Sequence, residues 1–525
     1  MKESITEYDK LLEKNKNNII DWYPFEENST ILQFILDEKI EELKINQNTK
    51  KVTKIEEITE QEKYDYIILI GNINKIENDF SKLVNLLNEN GKILIITDNK
   101  LSVKSMCQQL NTEQLYTRKE IENLLEKEKL IYQKYYYVYP SYRTTNVIFT
   151  DKHLPDIDTI SRNITFYPED TVISTLENEK MKDILQQDEN LFKICSNSFF
   201  IECSKKEFED NKIEFVSYSN IRKEEFRIKT VIKGDKVYKT NANDKSKKHI
   251  EQIKKNIDIL NKNDLNTIDS YNENTIISEY QRDCKTLDYI IVDKIKNGDR
   301  DEAINLIKNF YELLKEKLQQ SDMNNENVFK KYNIEYENEN ISNLTFVKHG
   351  LWDLIFQNTF YKNKEYFFYD QEWYEENLPI EYIMYRTITY CKQLQDLMGI
   401  DKFYQIVGIK NENLEIFKEL DDKLQLQTRS ETSWKVHSTI KSIQELKNEI
   451  KKLEEEKKKI SDDCFKLLNE KDARIKFLEE NMESTCNILK QKEDLLIKMQ
   501  TSVSWKITKP LRILKGLKKG EKNEN

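Results

Sequence analysis

Short apolar runs alternate with helically spaced stretches in the N-terminal part of the chain. The runs Ile31–Ile35, Tyr64–Ile70 and Lys92–Thr97 are continuous enough to be strands buried on both faces. Between the last two runs, Phe80–Asn90 has the spacing of an amphipathic helix, and Asn90–Gly91 predicts a turn. Because helices and buried strands alternate, a mostly parallel sheet covered by helices is favoured.

The following elements extend this sheet. Thr117 and Glu120 have the spacing of a capping box and predict a helix over 117–128. Further strands are predicted over 135–139, 145–150 and 197–202. The last of these strands is expected to close the sheet.

A second pattern extends from about 215 to 408. In chain order it predicts two strands, a charged helix and a third strand, over 225–232, 236–239, 247–260 and 275–280. Lys233-Gly234-Asp235 is a good hairpin turn between the first two strands. The remainder has helical spacing, with a hairpin predicted between Asp353 and Asp370.

A third pattern, heptad spacing, begins at Ile443. Its seam residues are Ile443, Leu446, Ile450, Leu453, Lys457, Ile460, Cys464 and Leu467, then, after a slip of one position, Ile475, Leu478, Met482, Leu489, Leu496 and Met499. No Pro or Gly interrupts 443–499, so the helix would be a rod of roughly 85 Å. The seam predicts a coiled coil over 438–500 that joins copies of this chain; a single solvated helix is the alternative.

Composition limits the class of protein. The chain has 525 residues, 38% hydrophobic and 34% charged, which suits two domains with extensions. A signal peptide and apolar runs of about 18 residues are missing, so a cytoplasmic location is expected. The seven cysteines form no CxxC pair and only four histidines accompany them, so neither a disulfide framework nor a zinc site is indicated. A net charge of −10 argues against nucleic acid as a partner.

The first region resembles class I S-adenosylmethionine-dependent methyltransferases, with an α/β Rossmann-like fold over 1–205. The resemblance rests on Asp21–Phe25, Tyr64–Gly71, Leu86–Ile96, Asp98–Lys100 and Tyr139–Tyr142. However, the family's first strand ends in an acidic residue and a Gly-rich loop, and here the first seventy residues contain no glycine. Asp37 is the only candidate acid, and we interpret it as a solvated carboxylate at a helix start. We therefore expect a retained fold that does not bind S-adenosylmethionine.

The second region, 206–425, resembles the α+β protein-kinase and aminoglycoside-phosphotransferase fold. Asp353 and Asn358 have the Asp-to-Asn spacing of the kinase catalytic loop, so the resemblance implies a catalytic base and a magnesium ligand. Asp370 stands where such kinases place a second metal ligand, and Glu372 would be a third. ATP and Mg²⁺ are the cofactors that this resemblance implies.

The same resemblance assigns residues to the nucleotide. Lys239 matches the strand Lys that holds phosphates, and Glu251, on the next helix, would pair with it. Glu279 and Tyr280 would form the hinge beside the adenine. Two features depart from the family: no Gly-rich loop precedes Lys239, and His349 lies four residues before Asp353 rather than two. The alternative interpretation is chance spacing in an Asn-rich chain and a surface ion pair.

The tail, 501–525, is basic and amphipathic. It resembles the Ser-Trp-Lys-x-Thr-x-Pro-Leu-Arg segment that follows the coiled coils of bacterial polysaccharide glycosyltransferase-type proteins. Trp505, Ile507 and Leu511 would face acyl chains, while Lys506, Lys509 and Arg512 would meet anionic headgroups. Peripheral contact with the inner face of the cell membrane is expected; a partner-docking helix is the alternative.

The whole order of parts resembles bacterial methyltransferase/kinase proteins that terminate O-antigen chains. In that family the kinase phosphorylates the sugar at the growing end and the methyltransferase caps it. The resemblance implies a role in surface-polysaccharide assembly, with a glycosyltransferase and a growing glycan as partners. The alternatives are a non-catalytic scaffold and an active methyltransferase with an unusual cofactor loop.

Overall fold

The computed structural model of the chain describes residues 16–38, 40, 42–45, 48–59, 61–108, 115–163, 171–282, 284–322, 326–391, 394 and 400–513. The chain divides into two compact units, Met1–Ile440 and Lys441–Asn525. The domain boundaries expected within the first unit stay predictions.

The strands are β1 Ile31–Ile35, β2 Thr49–Val52, β3 Tyr64–Ile70, β4 Leu87–Asp98, β5 Tyr132–Tyr139, β6 Val147–Phe149, β7 Ser198–Ser204, β8 Ile213–Tyr218, β9 Ile228–Lys233, β10 Lys236–Asn241, β11 Asp269–Tyr271, β12 Ile276–Glu279, β13 Phe346–Leu351, β14 Thr359–Lys362, β15 Glu365–Phe368 and β16 Tyr374–Pro379. The helices are α1 Phe80–Asn85, α2 Val103–Gln108, α3 Arg118–Lys127, α4 Ile157–Arg162, α5 Thr171–Gln187, α6 Phe192–Cys195, α7 Lys247–Lys262, α8 Leu287–Lys296, α9 Arg300–Lys317, α10 Val328–Lys331, α11 Asn338–Ile341, α12 Ile380–Tyr390, α13 Ile400–Ile406, α14 Asn411–Thr428, α15 Glu431–Thr501 and α16 Val503–Ile507.

One mixed sheet extends through the first unit. Within the described residues it has twelve strands in the order β11-β12-β10-β9-β8-β6-β5-β7-β4-β3-β1-β2. Strands β2, β1, β3 and β4 are parallel, as the alternation of helices and apolar runs predicts. The expectation that the strand at 197–202 closes the sheet is wrong, because β7 is antiparallel and lies in the interior between β4 and β5.

The predicted helix over 80–90 is too long, and the predicted turn at Asn90–Gly91 is wrong. Helix α1 ends at Asn85, and β4 already begins at Leu87 with a register shift against β3. A Cβ on Gly91 would lie 2.9 Å from the carbonyl oxygen of Tyr64. Gly91 therefore permits a close approach of two strands rather than a turn. The helix that begins after Thr117 has the predicted capping box.

The second region begins with a five-stranded antiparallel part of the same sheet. Its order is β8-β9-β10-β12-β11, with α7 between β10 and β11 along the chain. Gly234, with φ of +59°, forms the predicted turn between β9 and β10. Strand β8 also pairs with β6 of the first region, so main-chain hydrogen bonds join the parts of the sheet that belong to the first and second regions.

A helical lobe with two small two-stranded sheets completes the first unit. Strand β13 pairs with β16, and β14 pairs with β15. Their buried apolar side chains share one core with α8, α9, α12 and α14. Gly350 is the tightest point of this core, because a Cβ there would lie 2.3 Å from Cβ of the buried Leu378.

We expect Gly350→Ala to lower the free energy of unfolding by about 1–3 kcal/mol, because the added methyl group overpacks the core. Urea denaturation of the full chain measures this change. Gly234→Asn is the matched control, since nothing lies within 4 Å of its Cβ position and Asn tolerates the left-handed backbone there. Equal urea midpoints for the two variants would contradict the prediction.

The second unit contains most of the long helix α15. The heptad span predicted from the sequence lies within Glu431–Thr501, which is one uninterrupted helix. From Ile450 onward its apolar seam residues are exposed in the single chain. The coiled coil itself stays a prediction. Of the tail, 514–525 lie outside the described residues. No helix in the described part of the chain is both long and apolar enough to cross a membrane.

Candidate active site

The hairpin of β14 and β15 brings two of the predicted metal ligands together. Thr359 pairs with Phe368 at the open end of the hairpin. The backbone N–H of Tyr369 donates to the carbonyl of Asn358 at 3.1 Å, so Asn358 and Asp370 leave the hairpin side by side. Their oxygen atoms are of the kind that Mg²⁺ prefers.

Lys239, on β10, reaches this pair from the sheet. Its Nζ contacts Oδ1 of Asp370 and lies 3.7 Å from Oε1 of Glu372. The predicted pair of Lys239 with Glu251 does not form, because Glu251 lies on the solvent side of α7 and accepts from Lys254 at 2.6 Å. The residue of α7 that faces the site is the buried His249.

Glu372 does not have the environment of the predicted third metal ligand. The residue is 3% exposed, its Oε2 accepts from Nη1 of Arg222, and Nε2 of His249 lies 3.6 Å from the same oxygen. Burial alone would raise the pKa of Glu372, but the charges of Arg222 and Lys239 and the nearby imidazole of His249 hold it well below its usual value. Glu372 is therefore a charged anchor for cations of the chain.

Arg222 was missed by the sequence analysis. It lies in the connection between β8 and β9, 150 residues before its partner Glu372, so no local spacing links the two. Its guanidinium also lies over the ring of Trp373 at 5.0 Å. The only sequence signal is an arginine in the connection where kinases have a Gly-rich loop.

Asp353 lies near the start of the loop that follows β13, two residues after the strand ends, and its carboxylate is almost fully buried. Its backbone carbonyl accepts from the side-chain amides of Asn358 at 3.2 Å and of Gln371 at 2.9 Å. Nη2 of Arg386 lies 3.7 Å from Oδ1 of Asp353. Burial raises the pKa of Asp353 to about 7, although the charge of Arg386 lowers it. A carboxylate with that pKa is suited to accept a proton near neutral pH.

Asp269 is a second residue that the sequence did not identify. Its Oδ2 accepts from the backbone N–H of Asp370 at 2.9 Å. Asp370 has φ of +58°, a left-handed conformation that few residues other than Gly, Asn and Asp adopt readily. The hydrogen bond from Asp370 therefore helps to hold an uncommon backbone conformation at the site. Burial raises the pKa of Asp269.

The predicted hinge residues lie at the end of β12. In the register of β10 and β12, Glu279 is opposite Lys236 and Ile276 is opposite Lys239. The hinge therefore lies at the other end of β12 from Lys239. The hydroxyl of Tyr280 lies 3.1 Å from Nδ1 of His153, in the first region. The hinge therefore also contacts the methyltransferase-like part of the unit.

The connection between β8 and β9 has no glycine, and its amides are used within the chain. The N–H of Arg222 donates to Ser219 and that of Phe226 donates to Lys223. The N–H of Lys223 donates to the carbonyl of Thr428 at 2.9 Å, and the N–H of Ser430 donates to Ile221 at 3.1 Å. The connection is thus fixed to the end of α14, and these amides cannot cradle a phosphate.

In the first region, the carboxyl ends of β1, β4 and β5 are joined by ion pairs. Oδ2 of Asp37 accepts from the Tyr142 hydroxyl at 2.6 Å and from Nε of Arg143 at 2.7 Å. Nη1 of the same arginine donates to Asp98 at 2.8 Å. The interpretation of Asp37 as a solvated carboxylate is wrong, because the residue is 9% exposed.

Close packing also fills the crevice between β1 and β3, where the strand order reverses and ligands of such sheets bind. A Cβ on Gly71 would lie 2.8 Å from the backbone nitrogen of Asp37. Because Arg143 and this backbone contact occupy the crevice, S-adenosylmethionine would need to displace both.

We therefore expect no measurable binding when the full chain is titrated calorimetrically with S-adenosylmethionine. The Asp37–Arg143–Asp98 ion pairs would have to open, which leaves carboxylates without their cation. A parallel titration with ATP and Mg²⁺ serves as the control for the quality of the protein. A micromolar dissociation constant would contradict the prediction and make methyl transfer the leading activity.

No protein-family model matches the chain, and no curated protein matches it. Solved structures do show similarity. Phosphoethanolamine N-methyltransferase 2 of Haemonchus contortus, with phosphomonomethylethanolamine and S-adenosylhomocysteine bound, is 15% identical over 27% of this chain and 34% of its own, with a TM-score of 0.16. This chain thus spans about a third of that methyltransferase.

Two further solved structures match this chain over a larger share of their own length. A choline/ethanolamine kinase family protein from Mesorhizobium loti is 12% identical over 42% of this chain and 78% of its own, with a TM-score of 0.22. The cyclopropane synthase MmaA2 of Mycobacterium tuberculosis is 12% identical over 38% and 84%, with a TM-score of 0.19. The neighbours include the two enzyme classes that the sequence resembles, although TM-scores this low do not establish a shared fold.

Proposed function

We propose that the chain is an ATP-dependent phosphotransferase that phosphorylates a hydroxyl group, and that its methyltransferase-like region does not transfer methyl groups. The supporting observation is that Lys239, Asp353, Asn358 and Asp370 lie together at the open end of one hairpin, where Lys239 contacts Asp370, the Tyr369 N–H donates to the Asn358 carbonyl and the Asn358 side-chain amide donates to the Asp353 backbone carbonyl. They come from the sheet, from the loop after β13 and from both ends of the hairpin. Lys239 supplies a cation, Asp353 supplies a carboxylate with a pKa of about 7, and Asn358 and Asp370 supply two oxygen ligands.

A magnesium ion fits the donors of this site. Asn358 and Asp370 supply an amide oxygen and a carboxylate, which are hard ligands, and water and phosphate oxygens complete such a coordination sphere. Held by Asn358 and Asp370, the ion would supply positive charge that offsets the negative charge developing on transfer. Within the described residues, no group of three or more His, Cys, Asp and Glu side chains is arranged to hold a metal. The proposal therefore relies on the nucleotide for the remaining ligands.

Asp353 has the role of the base in the proposed reaction. The acceptor oxygen attacks the γ-phosphorus, the bond from that phosphorus to the bridging oxygen breaks, and ADP leaves. The hydroxyl proton passes to Oδ of Asp353. Lys239 leaves Asp370 and holds the phosphates, because the ion and the nucleotide together replace its present carboxylate partner. Arg386, 3.7 Å from Asp353, limits how far burial raises the pKa of that carboxyl.

For the acceptor, we propose a sugar hydroxyl of a surface polysaccharide under assembly. This part rests on the sequence resemblance to O-antigen chain terminators. We propose a growing glycan and a glycosyltransferase as partners. Copies of this chain would join along α15, and the basic tail would contact anionic lipid at the cell membrane.

Calorimetry and a phosphotransfer assay on the full chain test the proposed function. We expect Mg²⁺-dependent ATP binding, and release of ADP that depends on an added saccharide acceptor. A chain that binds no ATP with Mg²⁺ or Mn²⁺ is not a phosphotransferase.

A non-catalytic scaffold is the second candidate, and one observation favours it. In the structure, two carboxylates of the site are neutralised by cations of the chain, Asp370 by Lys239 and Glu372 by Arg222. A scaffold would retain such ion pairs for stability alone. ATP binding separates the two candidates, since only the phosphotransferase needs the Lys239–Asp370 pair to open.

A further inference from the structure

Glu372 holds two cations side by side next to the predicted metal ligand Asp370. Its Oε2 accepts from Arg222, and its Oε1 lies 3.7 Å from Nζ of Lys239. Glu372 is 3% exposed and contacts both cations, so it fixes their positions. The two cationic groups are therefore held beside each other by different oxygens of one carboxylate.

The Arg222 guanidinium is fixed but not fully used. Both of its hydrogen bonds to described residues, with Glu372 and with the Phe226 carbonyl, go through Nη1. Its plane lies over Trp373 at 5.0 Å, and its side chain is 21% exposed. Nε and Nη2 are thus available in the fork geometry that matches phosphate oxygens.

The backbone around Arg222 sets the reach of the guanidinium. Residues Arg222 and Arg429 form an antiparallel bridge, and the neighbouring N–H groups of Lys223 and Ser430 complete it. The connection between β8 and β9 has no glycine, and the N–H groups of Arg222, Lys223 and Phe226 donate to carbonyls of the chain, so these amides are not free to bind phosphate. A side chain must supply that contact if the site takes a nucleotide.

We propose that Arg222 contacts the phosphates of a bound nucleoside triphosphate, and that Glu372 holds Arg222 beside Lys239 as a paired phosphate clamp. This inference rests on the proposed phosphotransferase function and deepens it. Arg222 takes the place of the Gly-rich loop, and Glu372, predicted from the sequence as a metal ligand, is a positioning residue.

The test compares MgATP with adenosine, which lacks phosphates, by calorimetry on the full chain. We expect Arg222→Gln to weaken MgATP binding by about 10- to 100-fold, the usual value of a charge-assisted hydrogen bond, and to leave adenosine binding unchanged. Lys223→Gln removes the same charge from the next position of the loop and is expected to leave both affinities unchanged. Arg222→Lys, which keeps the charge but not the fork, should fall between the wild type and Arg222→Gln.

Four outcomes would overturn the inference, and they differ from one another. An equal loss of MgATP and adenosine affinity, with a lower urea midpoint, means that Arg222 only supports the fold. Unchanged MgATP binding means that Arg222 does not contact the phosphates, and tighter binding means that its guanidinium keeps nucleotide out. A wild-type chain that binds neither ligand removes the proposed function itself, and the inference with it.

Discussion

Asp370→Asn is expected to abolish Mg²⁺-dependent ATP binding while the fold stays intact. The substitution removes the negative charge that the site offers to the ion, and metal contacts of this kind contribute several kcal/mol, so a loss of about 100-fold or more is expected. Asn adopts the left-handed conformation of Asp370 nearly as readily as Asp, and its backbone N–H can still donate to Asp269. Calorimetry with ATP, with and without Mg²⁺, measures the effect.

Asp244→Asn is the matched control for this substitution. Its side chain is 92% exposed and pairs only with a neighbouring lysine in the next turn, so ATP affinity should be unchanged. If Asp370→Asn binds MgATP as tightly as wild type, Asp370 is not a metal ligand. If neither protein binds, the scaffold becomes the leading function.

Asp353→Asn is expected to remove phosphotransfer almost completely while ATP binding is retained. A positioned general base typically contributes about 10²–10⁴-fold to the rate, and its carboxylate meets the acceptor hydroxyl rather than the nucleotide. The hydrogen bonds from Asn358 and Gln371 go to the Asp353 backbone carbonyl, so the substitution leaves them in place. Wild-type kcat/KM should rise with pH up to about 7, the pKa of Asp353, and level off above it.

Stability provides the control for Asp353→Asn. The folded pKa of about 7 lies above the ordinary value near 3.9, so the stability that the neutral carboxyl contributes is lost as the pH rises from about 4 through 7. The Asn side chain does not ionise, so the Asp353→Asn variant does not lose this stability as the pH rises. At pH 8 the variant should therefore be at least as stable as wild type by urea denaturation. A flat pH–rate profile in wild type, or full phosphotransfer by the variant, would exclude Asp353 as the base.

Most of the local structure could be predicted from the sequence. The continuous apolar runs became β1 and β3, the capping box at Thr117 began a helix, and the turn at Gly234 joined β9 and β10. These signals are local, because burial, capping and positive φ depend on residues a few positions apart. The hairpin that brings Asn358 and Asp370 together was predicted for the same reason.

The errors concern long-range neighbours. The interior location of β7 depends on β4 and β5, which are far away in the chain. The phase of α7 against the sheet decided that His249, rather than Glu251, faces the site. Gly91 indicated a turn, but it serves the close approach of β3 and β4.

The sequence by itself thus determined the apolar strands, the long helix and the spacing of Asp353, Asn358 and Asp370. Only the tertiary structure decided how those groups are charged and paired. It surrounded Glu372 with Arg222 and Lys239, and it joined Asp37 to Asp98 through Arg143. The physical reason is that burial and ion pairing depend on contacts between residues far apart in the chain, such as Arg222 and Glu372, which are 150 positions apart, and no local pattern records them.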